Sequence, residues 1–310
     1  MIEKKEVIAI AKKTGVHPEA VEREWANGIF IDAFSKQLDT KDFAINGGTC
    51  RNKAYNGLPQ TYSKDEINSY FEQNRFSMDI DTFISPGLND KYHVATILTE
   101  CAVGIENDFL FRLDVDNAKF ADSNIAVNHR LEYPRVDVYI PYYGPMYSAK
   151  HPAPKIKLTL DSNEPPVLNA TRTVLYHPFS DNRLRALVAS CLSYPELFGN
   201  KLFTFYKRKW GKDLYDVSIL MEKYDIMSHL PEIQRVIDTK KSKWHIDPVP
   251  EQLDEAFQDA IRKNWNASIP KIVARPPEFG KCMDNLGIIH RALKDMNARL
   301  VMEKQAEFQF

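Results

Sequence analysis

The stretch Arg75-Phe-Ser77-Met-Asp79-Ile-Asp81-Thr-Phe83 decides how this chain is read. Side chains alternate between the two faces of a β-strand, so Asp79 and Asp81 point the same way. Phe76, Ile80 and Phe83 are strand-compatible apolar residues around the pair. Two carboxylates side by side repel each other unless a cation lies between them. Hard divalent ions such as Mg²⁺ take oxygen ligands, often one or two carboxylates completed by substrate phosphates. The stretch therefore points to a strand that carries a metal–phosphate site, with Asp79 and Asp81 as the metal ligands.

Upstream, Phe43-Ala-Ile45 reads as a short strand that ends at Asn46-Gly47-Gly48, and residues 49–55 read as the helix that follows. Glycines between a strand and a helix let backbone N–H groups come close to a phosphate, because no side chain stands in the way. Taken singly, a Gly-Gly pair is usually only a turn, and an Asp-x-Asp usually a solvated surface pair. Their order carries the signal. A strand, a Gly-Gly turn, a helix and then an acidic strand is the arrangement of a nucleotidyltransferase core, where carboxylates and Mg²⁺ manage the charge of a triphosphate.

The remaining chain frames these motifs. Residues 1–38 read as two helices broken at Thr14-Gly15-Val16-His17-Pro18, the second with an apolar face of Val21, Trp25, Ile29, Phe30 and Phe34. A polar stretch, residues 56–74, precedes the acidic strand, with a small helix expected from near Lys64. Residues 92–105 read as a helix, and 109–115, 136–140 and 155–160 as strands in a proline-punctuated region. From Asp181 the pattern turns helical, with helices expected over 181–191, 195–206, 212–223 and 249–262. No internal repeat or low-complexity segment interrupts this order. The expected division is an α/β domain over 1–175 and a helical domain over 176–310.

Composition narrows the class. The chain has 310 residues, 44% of them apolar and 27% charged, which suits a globular protein with a real core. A net charge of −1 gives no global attraction for nucleic acid, although a local basic surface remains compatible with it. No apolar run approaches the length of a membrane span, and Met1-Ile-Glu-Lys-Lys-Glu-Val places charges where a signal peptide needs its apolar core. Cys50, Cys101, Cys191 and Cys282 lie far apart and form no CxxC pair. The setting expected from these features is a reducing cytoplasm.

A second cluster follows in Glu196-Leu-Phe-Gly-Asn-Lys201-Leu-Phe-Thr-Phe-Tyr-Lys207-Arg208-Lys209-Trp-Gly-Lys212-Asp213-Leu-Tyr-Asp216. Leu197, Lys201, Phe205 and Arg208 fall along one helical face, and Asp213 and Asp216 share a face of the next helix. A lysine so placed neutralises phosphate charge as a flexible point cation. The run Thr239-Lys-Lys-Ser-Lys243 is of a kind that is usually a solvated face, with an RNA backbone as its other reading. Trp25, Trp210, Trp244 and Trp265 are expected to be packing residues.

Taken together, Gly47-Gly48-Thr49, the Arg75 to Asp81 stretch, Glu196 through Lys201, and Arg208 with Lys212-Asp213-Leu-Tyr-Asp216 resemble the AbiEii/AbiGii nucleotidyltransferase toxin family, which includes the MenT-type toxins. The likeness runs from the N-terminal helices to about residue 225. It implies an α+β, polymerase-β-like nucleotidyltransferase core, a mixed sheet flanked by helices, with a helical C-terminal half. It implies transfer of a nucleotide from an NTP with Mg²⁺ (or Mn²⁺), a toxin role beside a cognate antitoxin, and tRNA 3′ ends as acceptors. By position, Gly47, Gly48 and Thr49 would contact the triphosphate and Asp79 and Asp81 would hold the metal. Lys201 would face the nucleotide phosphates. Arg75 and Ser77 would orient the acidic pair or touch phosphate, Arg208 would touch phosphate or acceptor or support the residues that do, and Asp213 or Asp216 would supply a later carboxylate. Two departures stand out: a long stretch before Arg75, and Thr159 where relatives carry an acid, with Asp137 as the alternative strand-borne carboxylate. A small-molecule or protein hydroxyl as acceptor, or a non-catalytic nucleotide-binding protein, are the rival readings.

Overall fold

The computed structural model describes residues 2–55, 70–72, 76, 79–109, 111–127, 130–183 and 186–307. The chain divides into two compact units, Met1–Ser193 and Tyr194–Phe310.

The first unit opens with helices α1 (Lys4–Thr14) and α2 (Pro18–Ser35). His17 caps α2 by accepting from the Glu19 N–H, and Pro18 occupies the first turn, where a missing N–H does no harm. Val21, Trp25, Ile29, Phe30 and Phe34 are fully buried, as their spacing predicts. Behind them lies an eight-stranded sheet among the described residues. Its strands are β1 (Phe43–Ile45), β2 (Ile80–Ile84), β3 (Arg112–Leu113), β4 (Lys119–Val127), β5 (Arg130–Tyr143), β6 (Lys155–Asp161), β7 (Thr171–Val174) and β8 (Val188–Cys191). The order is β3-β5-β6-β2-β1-β8-β7, with β4 also pairing β5. Strands β2 and β6 run parallel, as do β1 and β8, and the other pairings are antiparallel. The sheet is thus mixed.

Alternation decides which face of this sheet is buried. In β5, Val136, Val138 and Ile140 are buried, and in β6 so are Ile156, Leu158 and Leu160. The intervening Arg135, Tyr139 and Lys157 are only half-buried. One face therefore packs into the core and the other is polar, the usual division for antiparallel strands. Helix α3 (Gly47–Cys50) is short, and helix α4 spans Lys91–Phe109. Its Val94, Leu98, Cys101, Ile105 and Phe109 form a buried stripe at helical spacing. That stripe carries the helix on to Phe109, so the strand expected over 109–115 shrinks to β3.

The described residues of the 181–191 stretch are not the expected helix. A single 3₁₀ turn, Ser180–Arg183, precedes β8. The Val188 N–H donates to Asp32 Oδ1 at 2.8 Å, the Ser190 N–H to Ser35 Oγ at 2.7 Å, and Cys191 registers with Ile45. Partners on α2 and β1 hold these residues extended, so tertiary pairing overrides the local pattern.

The second unit is helical: α5 (Tyr194–Arg208), α6 (Gly211–Lys223), α7 (Leu230–Trp244), α8 (Glu255–Ile272) and α9 (Phe279–Glu307). Helix α5 packs on α6 and α7, and α6 packs on α8 and α9. At Gly211 a Cβ would stand 2.7 Å from the Trp265 Cα, so glycine lets α6 start directly against α8. No helix among the described residues is long and apolar enough to cross a membrane.

Candidate active site

In the first unit, the glycine turn and the acidic pair are built as one piece. Strand β1 pairs antiparallel with β2, Ile45 opposite Thr82, which brings the end of β1 beside the start of β2. The Asn46 N–H donates to the Asp81 carbonyl at 2.8 Å, and Thr49 Oγ1 donates to the Asp79 carbonyl at 2.8 Å. Gly47 has a φ of 64°, a left-handed conformation that disfavours any side chain. Its N–H donates to Asn46 Oδ1 at 2.6 Å, and α3 starts there. A Cβ at position 47 would lie 2.4 Å from Asp81 Oδ2. The missing side chain is what lets the Asp81 carboxylate approach the turn. Gly48 and Thr49 lie in the first turn of α3, where backbone N–H groups lack intrahelical acceptors. The Thr49 hydroxyl hydrogen is engaged by the Asp79 carbonyl.

The helix after the turn is held from below by charges that the sequence did not reveal. Residues Arg51–Tyr55 form a π-turn, a geometry frequent at functional sites. Lys53 is buried, pairs with Glu24 of α2 at 2.9 Å, and donates to the Glu24 carbonyl at 2.7 Å. The Lys53 carbonyl accepts from the Tyr176 N–H at 2.7 Å, and Tyr70 Oη donates to Glu24 Oε1 at 2.5 Å. A lysine and a glutamate in helical stretches read as surface residues, and no spacing flags a pair 29 positions apart.

Beside Asp81 the sheet register lines up Thr159 of β6 and Asp137 of β5 on the same face. Two strand spacings put Asp81 and Asp137 about 10 Å apart. Thr159 Oγ1 donates to Asp137 Oδ1 at 2.8 Å, and Lys157 and Arg135 approach the same carboxylate at 3.2 and 3.5 Å. Burial pushes the Asp137 carboxyl up, but the hydrogen bonds from Thr159 and Lys157 and the Arg135 charge outweigh it and hold it low. Asp137 is therefore an ionised neighbour already engaged with two cations. Arg75 and Ser77 lie outside the described residues, as does most of the polar stretch before them.

The second unit carries the other four expected residues, Lys201, Arg208, Asp213 and Asp216. Lys201 on α5 reaches Asp216 on α6 at 2.7 Å, with Asp216 fully buried and Lys201 nearly so. Asp213, one turn earlier, is buried, and its Oδ2 has no hydrogen-bond partner. Burial raises the Asp213 pKa; the Lys201 charge opposes this and the Asp216 charge adds to it. Arg208, at the exposed end of α5, also lends its charge to Asp213.

A raised carboxyl pKa means that folded Asp213 holds its proton to a higher pH than the unfolded chain does. Its contribution to stability is then greatest below the unfolded carboxylate range, near pH 3.9, and is lost as pH rises through the folded value. Asp213→Asn removes that loss. Urea unfolding should find the variant about 1 kcal/mol more stable than wild type at pH 7 and no more stable at pH 3.5. Equal stabilities at both pH values would contradict this electrostatic account.

The fold matches that of a solved nucleotidyltransferase toxin. The chain is similar to MenT4, a nucleotidyltransferase toxin from Mycobacterium tuberculosis H37Rv, at 13% identity and a TM-score of 0.50, over 93% of this chain and 98% of that one. At that identity the likeness is one of fold, and it bears out the α+β nucleotidyltransferase architecture expected from the sequence. The family model described as "Nucleotidyl transferase AbiEii toxin, Type IV TA system" matches residues 29–285, and the chain belongs to this family of nucleotidyltransferase toxins. No curated protein matches the sequence.

Proposed function

We propose that this nucleotidyltransferase acts in the cytoplasm as the toxin of a toxin–antitoxin pair, moving a nucleotide from an NTP to the 3′ end of a tRNA. One observation carries the reading: a left-handed glycine turn packs against Asp81 so closely that a Cβ is excluded. That arrangement suits a triphosphate whose oxygens meet backbone N–H groups on one side and a carboxylate-bound cation on the other. Among the described residues, no third His, Cys, Asp or Glu gathers with Asp79 and Asp81. Two carboxylates, completed by phosphate oxygens and water, still fit Mg²⁺ or Mn²⁺. The metal, when bound, would supply charge neutralisation on the transferring phosphate.

The chain's own residues do the rest. Gly48 and Thr49 orient the triphosphate through their N–H groups, and Lys201 balances phosphate charge. The acceptor 3′-hydroxyl attacks the α-phosphorus in line, the bond to the β,γ-phosphate breaks, and pyrophosphate leaves. Asp213 or Asp216 takes the hydroxyl proton. Positioning and preorganised charge contribute most of the rate enhancement. A cognate antitoxin restrains the activity in the cell.

Incubating the full chain with Mg²⁺, each α-labelled NTP in turn and total tRNA tests the proposal. Label migrating with tRNA is the expected result. Label on protein or on a small molecule would move the acceptor elsewhere, and no transfer from any NTP would refute the reading.

A further inference from the structure

We propose that the corner between α5 and α6, together with the end of α7, is a docking surface for single-stranded RNA. Lys207, Arg208, Lys209 and Trp210 are four consecutive exposed residues. The Trp210 ring, expected to be a packing residue, is 43% exposed. Arg208 Cζ lies 5.2 Å and Lys212 Nζ 4.8 Å from its centroid. The same arrangement recurs at Trp244, the last residue of α7, where Lys207 stands 4.9 Å and Lys243 5.7 Å from the ring. A fifth cation, Lys209, sits 5.3 Å from the Phe257 ring centroid.

None of Lys207, Arg208, Lys209, Lys212 and Lys243 makes an ion pair with an acidic side chain among the described residues, although Arg208 and Lys212 act at longer range on the buried Asp213. A chain with net charge −1 has carboxylates to spare, so five cations without such a partner on one corner form a local field of one sign. Aromatic rings interleaved with basic side chains are the two elements that bind single strands: bases stack on the rings, and phosphates meet the cations. An acidic polypeptide would use the charges and leave the exposed indole without a role.

The corner is also rigid, so little ordering is needed on binding. Lys209 takes a left-handed φ of 55°, and its N–H closes the last turn of α5 on the Phe205 carbonyl at 2.7 Å. The Gly211 N–H donates to Asn264 Oδ1 at 2.7 Å, while its backbone abuts Trp265. Lys201 lies seven residues before Arg208 on the same helix, about 10 Å away at 1.5 Å per residue. An acceptor strand lying on this corner thus ends near Lys201 and Asp213. The inference rests on RNA being the acceptor, and it assigns to this chain the side chains that would hold it.

The test is fluorescence anisotropy of a 5′-labelled, unstructured 12-nucleotide RNA against the full chain, without NTP or metal, from 50 to 200 mM salt. Trp210→Ala should weaken binding at least about fivefold, the loss of one stacked base. The double variant Lys207→Gln/Lys209→Gln, on exposed side chains, should lower the slope of log K against log salt by about 1.4, or 0.7 for each lost phosphate contact. Wild-type affinity and slope in both variants would overturn the proposal. So would tighter binding of polyglutamate than of RNA by the wild type, which would make the corner a site for an acidic partner. Loss of RNA binding in the variants, with no nucleotide transfer by the wild type, would uphold this surface and remove the proposed function alone. Normal transfer to tRNA with an unchanged RNA KM in both variants would do the reverse.

Discussion

Asp81→Asn is expected to cut nucleotide transfer by at least about 10³-fold while leaving the fold intact. The amide matches the carboxylate in size, so the contact with Gly47 that excludes a Cβ is kept. The Asn46 N–H still meets the residue 81 carbonyl, because that bond uses the backbone. What disappears is one negative charge facing the turn. Charge stabilisation by a bound metal amounts to several kcal/mol in the transition state, and each 1.36 kcal/mol is a factor of ten in rate. Unfolding free energy should stay within about 1 kcal/mol of wild type, as for substitutions that create no cavity. Single-turnover transfer with labelled NTP, read beside a urea melt, separates the two effects. A variant that keeps more than a tenth of wild-type rate would remove Asp81 from the chemistry.

Lys201→Met should lose activity and stability together. The methionine fills much of the lysine volume but leaves Asp216, fully buried, without the cation at 2.7 Å. Breaking a buried pair from one side costs about 3–5 kcal/mol, because the remaining charge stays desolvated. Adding Asp216→Asn should recover most of that loss, since an amide carries no charge to strand. Activity should not recover, because the cation proposed for the phosphates is still missing. If Lys201→Met destabilises by less than about 1 kcal/mol, the pair is not the buried contact described above. If the double variant regains activity, Lys201 serves structure alone.

The parts of this molecule that were legible from sequence are those where chemistry restricts residue type. Gly47 and Asp81 are adjacent because only glycine tolerates both the left-handed φ and the carboxylate beside it, and that pairing leaves a trace in the sequence. The same holds for α2, whose apolar residues recur at helical spacing. Strand β8 was read as helix because Leu187, Val188 and Cys191 also suit a helical stripe; Asp32, Ser35 and Ile45 decide otherwise, from far away in the chain. The β7 strand, Thr171-Arg-Thr-Val174, is a mostly exposed edge with no apolar alternation to mark it. The Lys53–Glu24 pair was invisible for a similar reason, since burial of a charge depends on a partner 29 residues away. Trp210 shows the opposite error: an aromatic side chain suggests a core, yet the corner at Lys209 and Gly211 turns it outward.

The absent Cβ at Gly47 has a consequence for how this chain can change. Because the turn and the Asp81 carboxylate occupy adjoining space, neither position is free to vary alone. A larger residue at 47 calls for a shorter one at 81, and shortening 81 removes the carboxylate. The loop and the acidic strand are therefore sterically coupled into a single module. Grafting Asp-x-Asp onto the matching strand of another sheet, without the glycine turn, would transplant the charges but not the space the Asp81 carboxylate occupies.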